Sequence, residues 1–104
     1  MDKCKVDFEF MPWQSPMNGV RFKAHENEGL RLRVAEFTRE FIEPDWCTKR
    51  HIGYVLEGQM DIDFSGDVVR FKAGDGLFIP AGEACKHKAK VVSETVKLVL
   101  VEDA

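Results

Sequence analysis

Apolar and polar residues alternate with a period of two along most of this chain. No stretch of helical length carries apolar residues at i, i+3, i+4 and i+7. Because strand side chains point alternately to opposite faces, this pattern predicts an all-β fold in which each strand buries one face. Val6, Phe8 and Phe10 alternate with Asp7 and Glu9, which predicts a short first strand. Pro12 and Pro16 then bracket an irregular stretch, since proline cannot donate to a ladder. Val20, Phe22 and Ala24 alternate with Arg21 and Lys23, the run from His25 to Gly29 supplies turn chemistry, and Leu30, Leu32 and Val34 alternate with Arg31 and Arg33. From Phe37 to Ile42 the shared parity of Ala35, Phe37 and Phe41 favours continued strand over a helical turn.

In the second half, Ile52 to Glu57 is apolar on both parities and ends at Gly58. Met60, Ile62 and Phe64 then alternate with Asp61 and Asp63, so a hairpin around Gly58 is expected. Ser65-Gly66-Asp67 turns the chain into Val69 and Phe71, and Ala73-Gly74-Asp75-Gly76 turns it into Leu77-Phe78-Ile79. The last strands fall at Lys86 to Val92 and Thr95 to Glu102. Turns at such short and regular intervals belong to a sandwich or barrel. The segments Ile52 to Leu56 and Val96 to Val101 are apolar on both faces and need cover on both sides, either a second layer or another subunit. A homodimer is therefore an expected partner state.

A chain of 104 residues with 44% hydrophobic content is one small domain with a single core. Residues 1–18 read as an N-terminal strand or arm and residues 20–102 as the barrel. Fifteen basic against eighteen acidic residues give a formal net charge of -3, with none of the clustered positive surface that nucleic acid demands. No apolar run approaches the roughly 20 residues that span a bilayer, and Met1 to Lys5 lacks the apolar stretch of a secretory leader. The expectation is a soluble, cytoplasmic protein with neither a membrane nor a nucleic acid as partner. Three cysteines are too few for a disulfide scaffold and, in a reducing compartment, stay thiols available to a metal.

Two of the three histidines, His51 and His87, share the clear β region with Cys47 and Cys85, and these four are the main soft or borderline metal-ligand candidates. Lys86, Lys88 and Lys90 occupy one parity, which turns His87, Ala89 and Val91 to the other face together with Cys85. His87 is thus expected to point inward. The competing structural readings are an imidazole hydrogen-bonded to backbone, cysteines acting as small buried hydrophobes in a metal-free barrel, and a Cys47–Cys85 disulfide. Trp13 and Trp46, with Phe37, Phe41 and Phe78, are candidates to line a cavity for a planar or apolar ligand, Trp46 foremost because it lies between Asp45 and Cys47, against the ordinary use of aromatics as core.

The turn sequences resemble those of the cupin superfamily. Gly74-x5-Pro80-x-Gly82-x2-Cys85 is similar to the second cupin motif, G-x5-P-x-G-x2-H-x3-N, with Cys85 at the metal-binding His position and Ala89 at the Asn position. The first motif, G-x5-H-x-H-x3-4-E-x6-G, maps onto Asp45-x-Cys47-x3-His51-x6-Gly58. There Asp45 and Cys47 take the two His positions and His51 the Glu position, and Arg39 replaces the leading Gly. The resemblance, over residues 20 to 102, implies a single-domain jelly-roll barrel holding a divalent metal and a small-molecule ligand. Every displaced ligand position keeps a side chain able to bind a cation, so the resemblance implies a metal set of His51, Cys85 and Cys47, with His87 or Asp45 completing it. Asp45, after Pro44, also reads as a turn residue. Thiolate ligation favours zinc; the family adds iron, manganese and nickel as alternatives. The expected function is binding of a divalent metal and a small-molecule ligand in the barrel interior, with metal-dependent turnover left open, and the alternative is a non-catalytic regulatory dimer, metal-free or with a structural metal. No general acid or base stands apart from the ligand candidates.

Overall fold

The computed structural model describes residues 4–104. Met1, Asp2 and Lys3, on which the reading of the chain start partly rests, lie outside the described residues. The alternation folds as it implies in most strands, but over residues 30–38 the parity is reversed: buried Ala35 and half-buried Phe37 take the inner face and carry Arg33 with them, while Leu30, Leu32 and Val34 lie on the outer face, Leu30 52% exposed. Strands β2 (Val20–Asn27) and β3 (Leu30–Thr38) form a hairpin with Asn27 opposite Leu30, closed by Glu28 and Gly29, whose φ angles are 54° and 76°. Two successive positive φ values give a tight loop whose twist matches that of its strands. The same device, Ser65 and Gly66 at φ 59° and 106°, joins β5 (Gln59–Phe64) to β6 (Asp67–Lys72).

Two antiparallel sheets result. With β1 (Gln14–Met17), β4 (His51–Glu57), β7 (Gly76–Ile79) and β9 (Thr95–Asp103), the larger sheet has the order β1-β2-β3-β9-β4-β7. The smaller one has the order β6-β5-β8, with β8 spanning Lys88–Val91. Val55, Leu77, Ile79, Val96, Leu98 and Leu100 from the first pack against Met60, Ile62 and Val91 from the second, all buried. Burial of each such side chain contributes about 1.5–3 kcal/mol, and this layer is what holds the sheets face to face. No continuous ladder closes the barrel. Outside the named strands, an isolated bridge between Cys47 and His87 supplements the pairing.

Three further expectations change. The segment from Val6 to Phe10 is not a strand: Met11 N–H donates to the Phe8 carbonyl in a turn, and Phe10 is 82% exposed. The strand instead forms at Gln14–Met17, across Pro16, because it sits at the sheet edge, where an absent N–H costs little pairing. Continued strand beyond Thr38 is replaced by a turn in which Phe41 N–H donates to the Thr38 carbonyl. Gly58 is not the tip of a hairpin either, since β4 pairs with β7 and β9 while β5 pairs with β6 and β8. It is the corner where the chain leaves one sheet for the other. A Cβ there would lie 2.1 Å from the Thr95 carbonyl oxygen, and φ is 85°. Only glycine fits both demands.

Candidate metal centre

The crossing from β3 to β4 brings Cys47 beside His87. Cys47 N–H donates to the His87 carbonyl at 2.8 Å, and His87 N–H returns the bond to the Cys47 carbonyl at 3.0 Å. Four residues on, His51 opens β4 on its inward face, opposite Ile79. His87 is 3% exposed, inward as the parity of the flanking lysines requires. The sulfur of Cys47 and one ring nitrogen each of His51 and His87 lie within 4.8 Å of one another.

The hydrogen bonds set both tautomers. His51 Nδ1 is 2.8 Å from Glu102 Oε2, and a carboxylate only accepts, so Nδ1 carries the proton and Nε2 keeps a lone pair. His87 Nδ1 lies 3.1 Å from the Cys85 carbonyl, which likewise leaves its Nε2 as the free donor atom. Both rings therefore present a lone pair with the opposite nitrogen anchored, the arrangement seen at histidine-ligated metals. Cys47 Sγ is 3.4 Å from His51 Nε2. Two donors gripping one tetrahedral zinc, at ~2.3 Å for sulfur and ~2.0 Å for nitrogen, stand about 3.5 Å apart. The donor set and its spacing thus fit a divalent ion.

Glu102 is 7% exposed and is shared between His51 and Arg33, whose Nη2 donates to the same Oε2 at 2.8 Å. Burial raises its carboxyl, but the His51 hydrogen bond and the charge and hydrogen bond of Arg33 outweigh this and hold it below the ordinary carboxylate range. A permanently charged Arg33 beside an ionised Glu102 fixes the orientation of His51. Glu102 Oε1 and Arg33 Nε are both buried without a hydrogen-bond partner among the described residues.

The donors line a cavity of about 240 Å³ between the sheets, whose walls are mostly apolar. Arg33 and Glu43 also line it. The structure thus brings together Cys47, His51 and His87 of the expected ligands. Cys85 is not in that group: the 3₁₀ turn Glu83–Cys85 absorbs two residues after Gly82, so that His87 reaches the donor position while Cys85, half-buried, packs against the core. Asp45 is exposed at a bend outside the group. Trp46 does not line the cavity; its ring lies under Lys86 and Lys88, with Nζ atoms 5.7 and 5.0 Å from its centroid. Phe78 is 75% exposed, because Leu77 and Ile79 take the inward parity of β7. Cys47 and Cys85 are not joined by a disulfide. Arg33, Glu43 and Glu102 were not singled out by the sequence as site residues. The signal that could have found two of them is parity: Arg33 shares that of Ala35 and Phe37, and Glu102 that of Val96, Leu98 and Leu100.

Residues 44–102 match the Cupin_2 family model, described as a cupin domain. The structure resembles KdgF from Halomonas sp., with a TM-score of 0.75 and 20% identity over 94% of this chain and 91% of that one. An RmlC-like cupin from Shewanella frigidimarina NCIMB 400 gives 0.75 and 16% over 98% and 91%. At these identities the likeness shows the fold alone. Among curated proteins, Legumin A2 of Pisum sativum is 29% identical over 80 residues, which are 77% of this chain and 15% of that relative. This chain spans a small part of the relative's length.

Proposed function

The chain belongs to the cupin domain family and has its jelly-roll fold, and from that premise we propose that it binds one divalent metal ion through Cys47, His51 and His87. The observation that carries this reading is the convergence of one thiol and two imidazoles, each held at Nδ1 by an acceptor, on the lining of an interior cavity. One thiolate and two imidazoles form a borderline-soft set that suits zinc better than the oxygen-preferring ions. Three protein donors leave a coordination position open, which is the feature of zinc sites that act on ligands. The bound ion supplies Lewis acidity. Glu102, through His51, and Arg33, through Glu102, hold the donor geometry, and the apolar walls exclude water from the ligand. The small molecule enters the same cavity, and the protein works as a homodimer paired through the outer face of its larger sheet.

Metal content settles the first part. Metal-free protein dialysed against zinc is expected to retain one ion per chain by elemental analysis. Cys47→Ala and His87→Ala are expected to lose it while keeping the far-ultraviolet circular dichroism of the wild type, whereas Cys85→Ala retains it. An empty wild type, or a Cys47→Ala variant as fully loaded as its parent, overturns the reading.

A further inference from the structure

The interior cavity carries one carboxylate that the metal reading leaves idle. Glu43, half-buried in the crossing from β3 to β4, lines the same chamber as Cys47, His51 and His87. Its Oε1 accepts the Ala89 N–H at 2.8 Å, which ties it to β8 two residues beyond His87. Among the described residues it has no ion pair, although Arg39, Lys88 and Lys90 share an outer cleft with it.

Counting this group closes the charge balance. A divalent ion brings two positive charges; the Cys47 thiolate, deprotonated as it binds, and the Glu43 carboxylate bring one negative charge each. Arg33 and Glu102 neutralise each other. The other walls are mostly hydrocarbon, among them Ile62, Val91, Leu98 and Phe41. An ionic ligand adds to such a chamber a charge with no counter-charge left to meet it, so the complementary occupant is neutral.

The two polar ends of the chamber make opposite demands. An ionised carboxylate only accepts hydrogen bonds, so the Glu43 oxygen that Ala89 does not occupy needs a donor. The open position of a three-donor site needs a lone pair. The bridge that holds Cys47 falls at His87 and the bond that holds Glu43 falls at Ala89, about 7 Å further along the strand, so a ligand meets the two demands with different atoms. A primary amide does so: its oxygen offers the lone pair and its nitrogen the N–H. A volume of about 240 Å³ holds about eight non-hydrogen atoms at roughly the ~30 Å³ that a water occupies in the liquid.

Resting on the metal reading above, we propose that Glu43 selects the ligand of this cavity and that the ligand is a small neutral primary amide with a hydrocarbon tail. The amide N–H donates to Glu43, and the tail lies against the apolar walls.

Titration calorimetry on the zinc-loaded full chain tests this with three probes: hexanamide, its isomer N,N-dimethylbutanamide, which has no N–H, and hexanoate, which carries a charge. Hexanamide is expected to bind one per chain, at least about ten-fold tighter than either of the others. Glu43→Gln keeps an oxygen for the Ala89 N–H and removes the negative charge. It is expected to keep its zinc and to move the ratio of hexanoate to hexanamide affinity at least about ten-fold towards hexanoate. The isomer or hexanoate equalling hexanamide on the wild type, or an unchanged ratio in the variant, overturns the proposal. So does a folded variant that loses its zinc, since Glu43 then serves the ion and not the ligand. The wild-type comparison decides even where the variant does not fold. Zinc measured in the same samples separates the two readings: a wild type that takes no zinc defeats both, and a zinc-loaded one indifferent to the amide defeats this one alone.

Discussion

Glu36, on the outward face of β3, is held between Arg21 of β2 and Lys97 of β9. Burial pushes its carboxyl up, yet hydrogen bonds and charge from Arg21 and Lys97 outweigh this and keep it below its ordinary value. A depressed carboxyl contributes stability that is present above the unfolded-state value, near 4.5, and is lost as the pH falls through the folded-state value. Thermal unfolding of the wild type is therefore expected to drop more between neutral pH and pH about 3 than that of Glu36→Gln. Equal drops in the two proteins refute the assignment. At this same scale, His87 was legible in the sequence because the lysines around it fix its parity. Cys85 was misplaced because a single 3₁₀ turn shifts the donor position by two residues, and a motif counted along the chain does not register a turn. Arg33 and Glu102 lie 69 residues apart, so their pairing is a product of the β3–β9 register and leaves no local spacing to read.

Elements were legible where alternation meets a turn that glycine closes, as in the β2–β3 and β5–β6 hairpins, because local sterics alone decide those connections. The β4–β5 corner shows what local sequence leaves out. Strand, glycine, strand is also the pattern of a hairpin, and only the partners, β9 and β7 on one side and β6 and β8 on the other, distinguish a corner from a tip. The corner carries the site indirectly: β4 contributes His51 and β5 runs past His87, where the Phe64 ring lies 5.9 Å from the imidazole. Gly58 sits against the Thr95 carbonyl with no room for a methyl group and with a positive φ. Gly58→Ala is accordingly expected to lower stability by about 1–3 kcal/mol in urea unfolding. Gly66→Ala removes the same conformational freedom where nothing lies within 4 Å, and so it is expected to cost less. A larger loss at Gly66 than at Gly58 shows that the close approach to Thr95 is not what requires glycine at the corner.

The whole molecule leaves one large face unsatisfied. Across the outer side of the larger sheet, the register aligns Leu32, Val101, Ile52 and Phe78 in one row and Val34, Val99, Tyr54 and Gly76 in the next. Phe78 is 75% exposed, Tyr54 50% and Leu56 46%. Apolar residues on both parities of β4 and β9 were read from the sequence as a demand for cover on both sides, and among the described residues only the inner side receives it. Both borders of the patch carry mixed charge, Arg50 with Asp103 at one end and Arg21, Glu36, Lys97 and Glu57 at the other. The homodimer proposed above, a second copy turned by a two-fold axis, would set hydrocarbon on hydrocarbon within a rim of mixed charge. A lipid surface would instead favour one sign of charge around the patch. Light scattering on the eluting wild type is expected to give twice the chain mass at tens of micromolar. Tyr54→Lys with Phe78→Lys, both on the outer face and away from the donors, is expected to give a monomer that still holds its zinc. A wild type that elutes as a monomer removes the partner. A double variant that stays dimeric moves the interface elsewhere, and one that loses its zinc ties the integrity of the donor end to the pairing of the sheets.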